Sequence, residues 1–187
     1  MDKLHTHAEL ECKDLDIIQS KIYDFLLTQT MLLTDGSKNW QFLDTKQLIV
    51  NIPELANFFI ENKLYVRQAS VTILYEDLPL HLDTLPMIAK INIPVKNTQG
   101  WVNRWYDVSE ETIANLPRSH NQFGDEQEDV SSLNADTLPV LTEIYDLNKP
   151  IVFHSRIPHS VIKLTATELP RIVASFTFVN QPMHLLK

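Results

Sequence analysis

Three glycines in 187 residues leave little material for Gly-rich phosphate loops, and neither a GxGxxG nor a glycine–lysine phosphate-binding pattern occurs. One cysteine, Cys12, excludes an internal disulfide, so nothing in the fold demands an oxidising compartment. No apolar run approaches the roughly 18 residues of a membrane span. Basic residues are outnumbered 16 to 24, and the net charge of −8 makes nucleic acid an unexpected partner. The opening stretch MDKLHTHAELECKD is polar and has no apolar core of a signal peptide. The expectation is a cytoplasmic protein with no membrane partner.

Hydrophobic residues at 44% and charged residues at 21% are what one ordinary globular domain needs, and residues 1–187 are expected to form one. Leu15, Ile18, Ile22, Phe25 and Leu26 recur at helical spacing and predict a helix over 14–28. Pro53 suits a first helical turn, and Leu55, Phe58 and Phe59 give the following residues, to about 62, an apolar side. From residue 64 the texture changes. The segments 65–75, 87–95, 101–108, 150–155 and 171–179 are short, rich in β-branched and aromatic residues, and separated by prolines. The pattern predicts a mainly β fold: N-terminal helical support over 1–63 and a jelly-roll core over 64–179. Residues 109–136 are acidic and polar and read as an exposed insertion, either a solvated loop or a lid.

Three short stretches carry candidate chemistry. In Leu80-His81-Leu82-Asp83, residues two apart on an extended chain project to one side, so an imidazole and a carboxylate can grip adjacent positions of a metal. His159 opens the β-prone stretch after Pro158. Arg171 begins the apolar stretch RIVASFTFV and needs a partner if it points inward. Singly, each has an ordinary reading: a surface hydrogen bond, a structural histidine, an arginine in water. Trp101 and Trp105, four apart, share a strand face with either core packing or a substrate wall as their role, and Tyr106 follows them. His5, His7, His120 and His184 are assigned no role, and His154 lies too far before Arg171 to replace His159.

Together, an HxD pair, a distal His and an Arg twelve residues later resemble the 2-oxoglutarate/Fe(II)-dependent oxygenases, in particular aspartyl/asparaginyl or prolyl hydroxylase-like members. The resemblance is strongest over about 65–179. It implies a double-stranded β-helix, a cupin-like jelly roll, with His81, Asp83 and His159 as Fe(II) ligands. It implies that Arg171 binds the distal carboxylate of 2-oxoglutarate, with Ser175, Lys90 and Asn92 as further cofactor-binding residues. Ser175 falls on the Arg171 face, while Lys90 and Asn92, with Ser70 and Thr72 in a similar part, are placed close to the metal-binding end of the cosubstrate. The implied activity is hydroxylation of a small-molecule or peptide substrate by molecular oxygen. The 78-residue gap between His81 and His159 is long for that family, and the acidic insertion accounts for the surplus. Two rivals remain: a non-catalytic jelly-roll binding protein, and a cupin-type metalloenzyme that ignores 2-oxoglutarate.

Overall fold

The computed structural model describes residues 6–29, 39–83, 87–120, 126–165 and 168–186. In chain order the first elements are β1 (His7–Glu9), α1 (Leu15–Thr28), β2 (Asn39–Leu43), α2 (Thr45–Asn51) and α3 (Pro53–Glu61). Strands β3 (Val66–Leu74), β4 (Leu78–His81), β5 (Ala89–Lys96) and β6 (Trp101–Tyr106) follow. The segment after β6 holds α4 (Glu110–Ala114), β7 (Arg118–His120), β8 (Glu126–Glu128) and a 3-10 turn at Val130–Ser132. The chain then forms β9 (Val140–Tyr145), β10 (Ile151–His154), β11 (His159–Lys163), β12 (Arg171–Phe178) and a last 3-10 turn at Pro182–Leu185.

Among the described residues, two antiparallel sheets face each other. The major sheet runs β1-β10-β5-β12-β3-β2 and the minor sheet β4-β11-β6-β9, while β7 and β8 pair only with one another. This is a double-stranded β-helix, as expected. The predicted helices and five strands appear within one or two residues of their expected places. Residues 1–63 supply more than helices, because β1 and β2 form the two edges of the major sheet. His-Ala-Glu in β1 carries no apolar signal, and its place is set by backbone pairing with β10. Helix α2 buries only Leu48 and starts at Asp44, whose side chain accepts from the Gln47 amide at 2.9 Å.

Strand alternation explains how the layers divide. On β3, Ala69, Val71 and Ile73 pack under the helices, as do Ile91 and Ile93 on β5 and Ile172, Ala174 and Phe176 on β12. They meet Ile18, Ile22 and Leu26 of α1 and Leu55, Phe58 and Phe59 of α3. The residues between them face the minor sheet. The inter-sheet interior has two separate apolar clusters, one around Trp105, Phe153 and Val173 and one around Leu74, Trp101 and Val161. The described residues of the acidic segment are mostly exposed, yet have local order of their own: Ser109 caps α4 by accepting from the Thr112 amide at 3.1 Å. No described helix is long and apolar enough to cross a membrane.

The Phe59 ring packs edge-on against Phe176 at 4.9 Å and Phe178 at 5.3 Å, tying α3 to the central strand β12. Phe59→Ala should cost about 3–5 kcal/mol in urea unfolding. A loss below about 1 kcal/mol would show that α3 does not anchor the helical layer.

Candidate metal centre

Strand β4 runs antiparallel to β11 with His81 directly opposite His159, and the two rings lie 4.2 Å apart. Asp83 follows just beyond the strand, where its amide donates to the Ser155 carbonyl at 3.2 Å. One donor atom from each of His81, Asp83 and His159 lies within 4.8 Å of the others, a group able to hold a metal ion.

The same local device orients both histidines. His81 Nδ1 lies 2.8 Å from the Pro79 carbonyl, and His159 Nδ1 lies 2.8 Å from the Ile157 carbonyl. A carbonyl only accepts, so Nδ1 carries the proton and Nε2 of the neutral ring holds the lone pair a metal needs. Asp83 Oδ1 accepts from Lys90 Nζ at 2.7 Å, while its buried Oδ2 has no hydrogen-bond partner and sits 3.8 Å from His159 Nε2. Burial, reinforced by His81, pushes the His159 pKa down to about 3. Burial alone would raise that of Asp83, but Lys90, His159 and His81 together outweigh it and hold the carboxyl at about 2. A neutral imidazole and an ionised carboxylate are the protonation states of ligands. The donor set and the orphaned Oδ2 therefore fit a resident cation.

A cavity of about 190 Å³ extends from this group between the sheets, with Trp105 and Phe153 at the metal end. Lys90, Asn92, Ser175, Thr72 and Trp40 line its major-sheet wall, and Asn103 and Arg171 lie further along. Asn103 is one inward-facing position from Trp105 on β6, a step of about 7 Å along a strand. Arg171 is 2% exposed and donates from Nη2 to Asn103 Oδ1 at 3.0 Å. Its Nε and the Asn103 Nδ2 have no partner, and its guanidinium lies 5.8 Å from the Trp101 ring. No carboxylate among the described residues pairs with it, and burial lowers its pKa to about 10, which still leaves it charged at neutral pH.

Each sequence-predicted residue has a definite place. Lys90 is engaged with Asp83, and Ser175 Oγ donates to Asn92 Oδ1 at 2.6 Å, so these two cavity-lining groups occupy one another. Ser70 Oγ donates to the Ser175 carbonyl at 3.5 Å. Trp101 is core beneath Arg171, Trp105 lines the cavity, and Tyr106 is bonded to Ser160 on the opposite face. His154 Nδ1 accepts from the Arg156 amide at 3.3 Å, away from the triad. His184 Nε2 lies 3.1 Å from the Asn62 carbonyl, and His120 is in β7. His5 lies outside the described residues. His7 is not on a loose polar tail: it sits on β1 and stacks on Trp105 at 5.0 Å. Sequence reading missed Asn103, although the alternation of WVNRWY puts it on the face of Trp101 and Trp105. It also missed Trp40 and Arg156, which lie on or near the site only through tertiary contacts.

No protein-family model and no curated protein matches this chain. Solved structures do. The non-heme alpha ketoglutarate dependent carbocyclase SnoK from nogalamycin biosynthesis superposes with a TM-score of 0.58 at 12% identity, over 93% of this chain and 80% of that one. What is shared is the fold. HygX from Streptomyces hygroscopicus, solved with nickel and 2-oxoglutarate bound, gives 0.55 at 12% identity over 92% and 82% of the two chains. EvdO2 from Micromonospora carbonacea var. aurantiaca gives 0.52 at 11% identity over 94% and 88%.

Unfolded, His159 takes up its proton near the ordinary histidine value of about 6.5, whereas the folded ring resists protonation until about 3. The unfolded state binds more protons across that interval, so stability is lost as pH falls through it. Asp83 adds to the loss only below its unfolded value of about 4, since its folded carboxyl stays ionised to about 2. The melting temperature of the metal-free protein should therefore drop between about pH 6.5 and pH 4, and His159→Gln should flatten that slope. A slope identical in both proteins would mean that His159 is not shielded from protons.

Proposed function

We propose that this chain is an Fe(II)- and 2-oxoglutarate-dependent oxygenase that hydroxylates a small-molecule or peptide substrate. One observation carries the reading: a buried guanidinium with no carboxylate partner among the described residues lines the same cavity as a His-Asp-His group. His81, Asp83 and His159 would hold Fe(II) as a facial triad, leaving positions for cosubstrate and oxygen. Bound iron with 2-oxoglutarate and oxygen supplies oxidative decarboxylation to succinate and transfer of one oxygen atom to a substrate C–H bond. The nickel- and 2-oxoglutarate-bound fold-mate HygX supports this choice of ligands.

The chain's own work is orientation and exclusion of water. The Pro79 and Ile157 carbonyls keep Nε2 of each histidine aimed as a ligand. Lys90 holds one Asp83 oxygen and leaves the other for the metal. Arg171 offers a planar fork to the distal carboxylate, and Asn103 Nδ2 stands beside it as a further donor. Trp105, Phe153 and Val173 make the walls apolar between the two ends. Ser175 and Asn92, bonded to each other, serve the cosubstrate as a fixed polar ledge on the major sheet. Arg171 has no task in a cupin-type enzyme that ignores 2-oxoglutarate.

Calorimetric titration of 2-oxoglutarate into the Mn(II)-loaded protein without oxygen tests the reading. Arg171→Lys keeps the charge but loses the bidentate fork, and should weaken binding about tenfold. Arg171→Ala should weaken it by roughly a hundredfold or more, with Mn(II) binding retained in both. Equal affinity in all three proteins would remove Arg171 from the site. Metal binding without any 2-oxoglutarate binding to wild type would favour the cupin-type reading.

A further inference from the structure

The turn between β10 and β11 does more than deliver His159. Its Ser155 carbonyl accepts the Asp83 amide, and Arg156 Nη1 donates to the Asp83 carbonyl at 2.7 Å. The peptide groups on both sides of the Asp83 Cα are therefore held by adjacent residues of one turn. The second Arg156 nitrogen, Nη2, pairs with Glu128 Oε1. Glu128 belongs to the acidic segment after β6, where β8 pairs it with Arg118 of β7 and the Asp129 amide donates to the Pro117 carbonyl at 2.7 Å.

Exposure separates this pair from ordinary surface contacts. Lys13–Glu61 is 71% and 58% exposed and Lys149–Glu11 is 42% and 89% exposed, whereas Arg156–Glu128 is 16% and 11% exposed. Only Lys90–Asp83, at 13% and 13%, is comparably shielded among the lysine and arginine ion pairs of the described residues. Both shielded pairs end on Asp83, one at its carboxylate and one, through Arg156, at its backbone carbonyl. Ion pairs taken out of water add little net stability, so their convergence on one residue calls for another purpose.

We propose that Arg156 is a positioning residue for Asp83 and that Glu128 fixes the orientation of Arg156, so that the acidic insertion sets how tightly the centre holds its metal. The proposal rests on the reading of His81, Asp83 and His159 as metal ligands. It gives the insertion a role that its composition conceals. The chain of contact is short and physical: hairpin carboxylate, guanidinium, ligand backbone. By linkage, metal bound at Asp83 must in turn steady the hairpin.

The test is Mn(II) affinity of the full chain by calorimetry, with melting of the metal-free protein as the control for folding. Arg156→Gln should weaken Mn(II) about tenfold, at the lower end of what loss of an outer partner of a metal ligand costs. Glu128→Gln should weaken it less, and the double variant should be no worse than Arg156→Gln alone. Arg156→Lys, which keeps the charge but has one nitrogen for two acceptors, should fall between wild type and Arg156→Gln. Lys149→Gln, in an exposed pair, should match wild type. Hydrogen exchange at 118–120 and 126–128 should slow on adding Mn(II) to wild type and not to Arg156→Gln. Unchanged Mn(II) affinity in Arg156→Gln and Glu128→Gln, whatever their melting temperatures, would overturn the proposal and leave the metal site standing. Additive losses in the double variant would overturn the relay through Arg156. Failure of wild type to bind Mn(II) at all would overturn the proposed function and this inference together.

Discussion

Everything at the centre depends on the helices covering one face of the major sheet. A β-strand turns alternate residues to opposite sides, and α1 and α3 take the apolar set of β3, β5 and β12 into a continuous core. With that core supplying burial, the other face is released from having to be apolar. It carries Thr72, Lys90, Asn92, Arg171 and Ser175 into the space between the sheets. A sheet with only one covered face would have to present these groups to water. Here they share the wall of the cavity with Trp105, Phe153 and Val173 of one apolar cluster and Val161 of the other.

Enclosure has a cost that the structure leaves partly unmet. Asp83 Oδ2, Arg171 Nε, Asn103 Nδ2 and Trp105 Nε1 are buried without partners. Each such group costs on the order of 1–3 kcal/mol. Four of them around one cavity, next to backbone devices that orient both histidines, are hard to explain as packing faults. They match the proposed function, in which the cavity would receive one cation and one anion. The turn at residues 154–159 concentrates the geometry: it holds the Asp83 backbone, orients His159 through Ile157, and anchors the Tyr106 amide through Pro158.

Much of this was legible in the sequence because it is local. His81 and Asp83, the β-prone stretch opened by His159 and the cation in RIVASFTFV each showed as a local pattern, and the family resemblance joined them, although Asp83 lies just beyond the end of β4 rather than on it. Helices α1 and α3 announced themselves by periodicity and by Pro53. Contacts made across the fold were not legible. His7 sits in a polar stretch, and only pairing of β1 with β10 brings it onto Trp105. Arg156 and Glu128 are 28 residues apart, and nothing in either segment names the other. Ser175 and Asn92 were each read as open to a ligand, but register places them opposite one another, where they bond together. Asn103 is the intermediate case, since the alternation of WVNRWY places it on the inward face but an amide between two tryptophans carries no motif of its own.

Charge makes the same distinction between the whole chain and the site. The protein carries −8 overall, which by itself argues against anionic ligands. Inside the cavity, Lys90 and Arg171 oppose Asp83 alone, a surplus of one positive charge in a setting that water screens poorly. A divalent metal at Asp83 would raise that surplus to three, which an enclosed space tolerates only if anionic ligands follow. Under the proposed function, a dicarboxylate spanning from the metal to Arg171 would supply two negative charges, one at each place where positive charge is left uncompensated. The metal and the dianion would thus favour each other's binding through the same field. Most exterior carboxylates lie in water and weigh little in that balance, and Glu128 is the exception, because it is 11% exposed and paired with the Arg156 that bonds the Asp83 backbone.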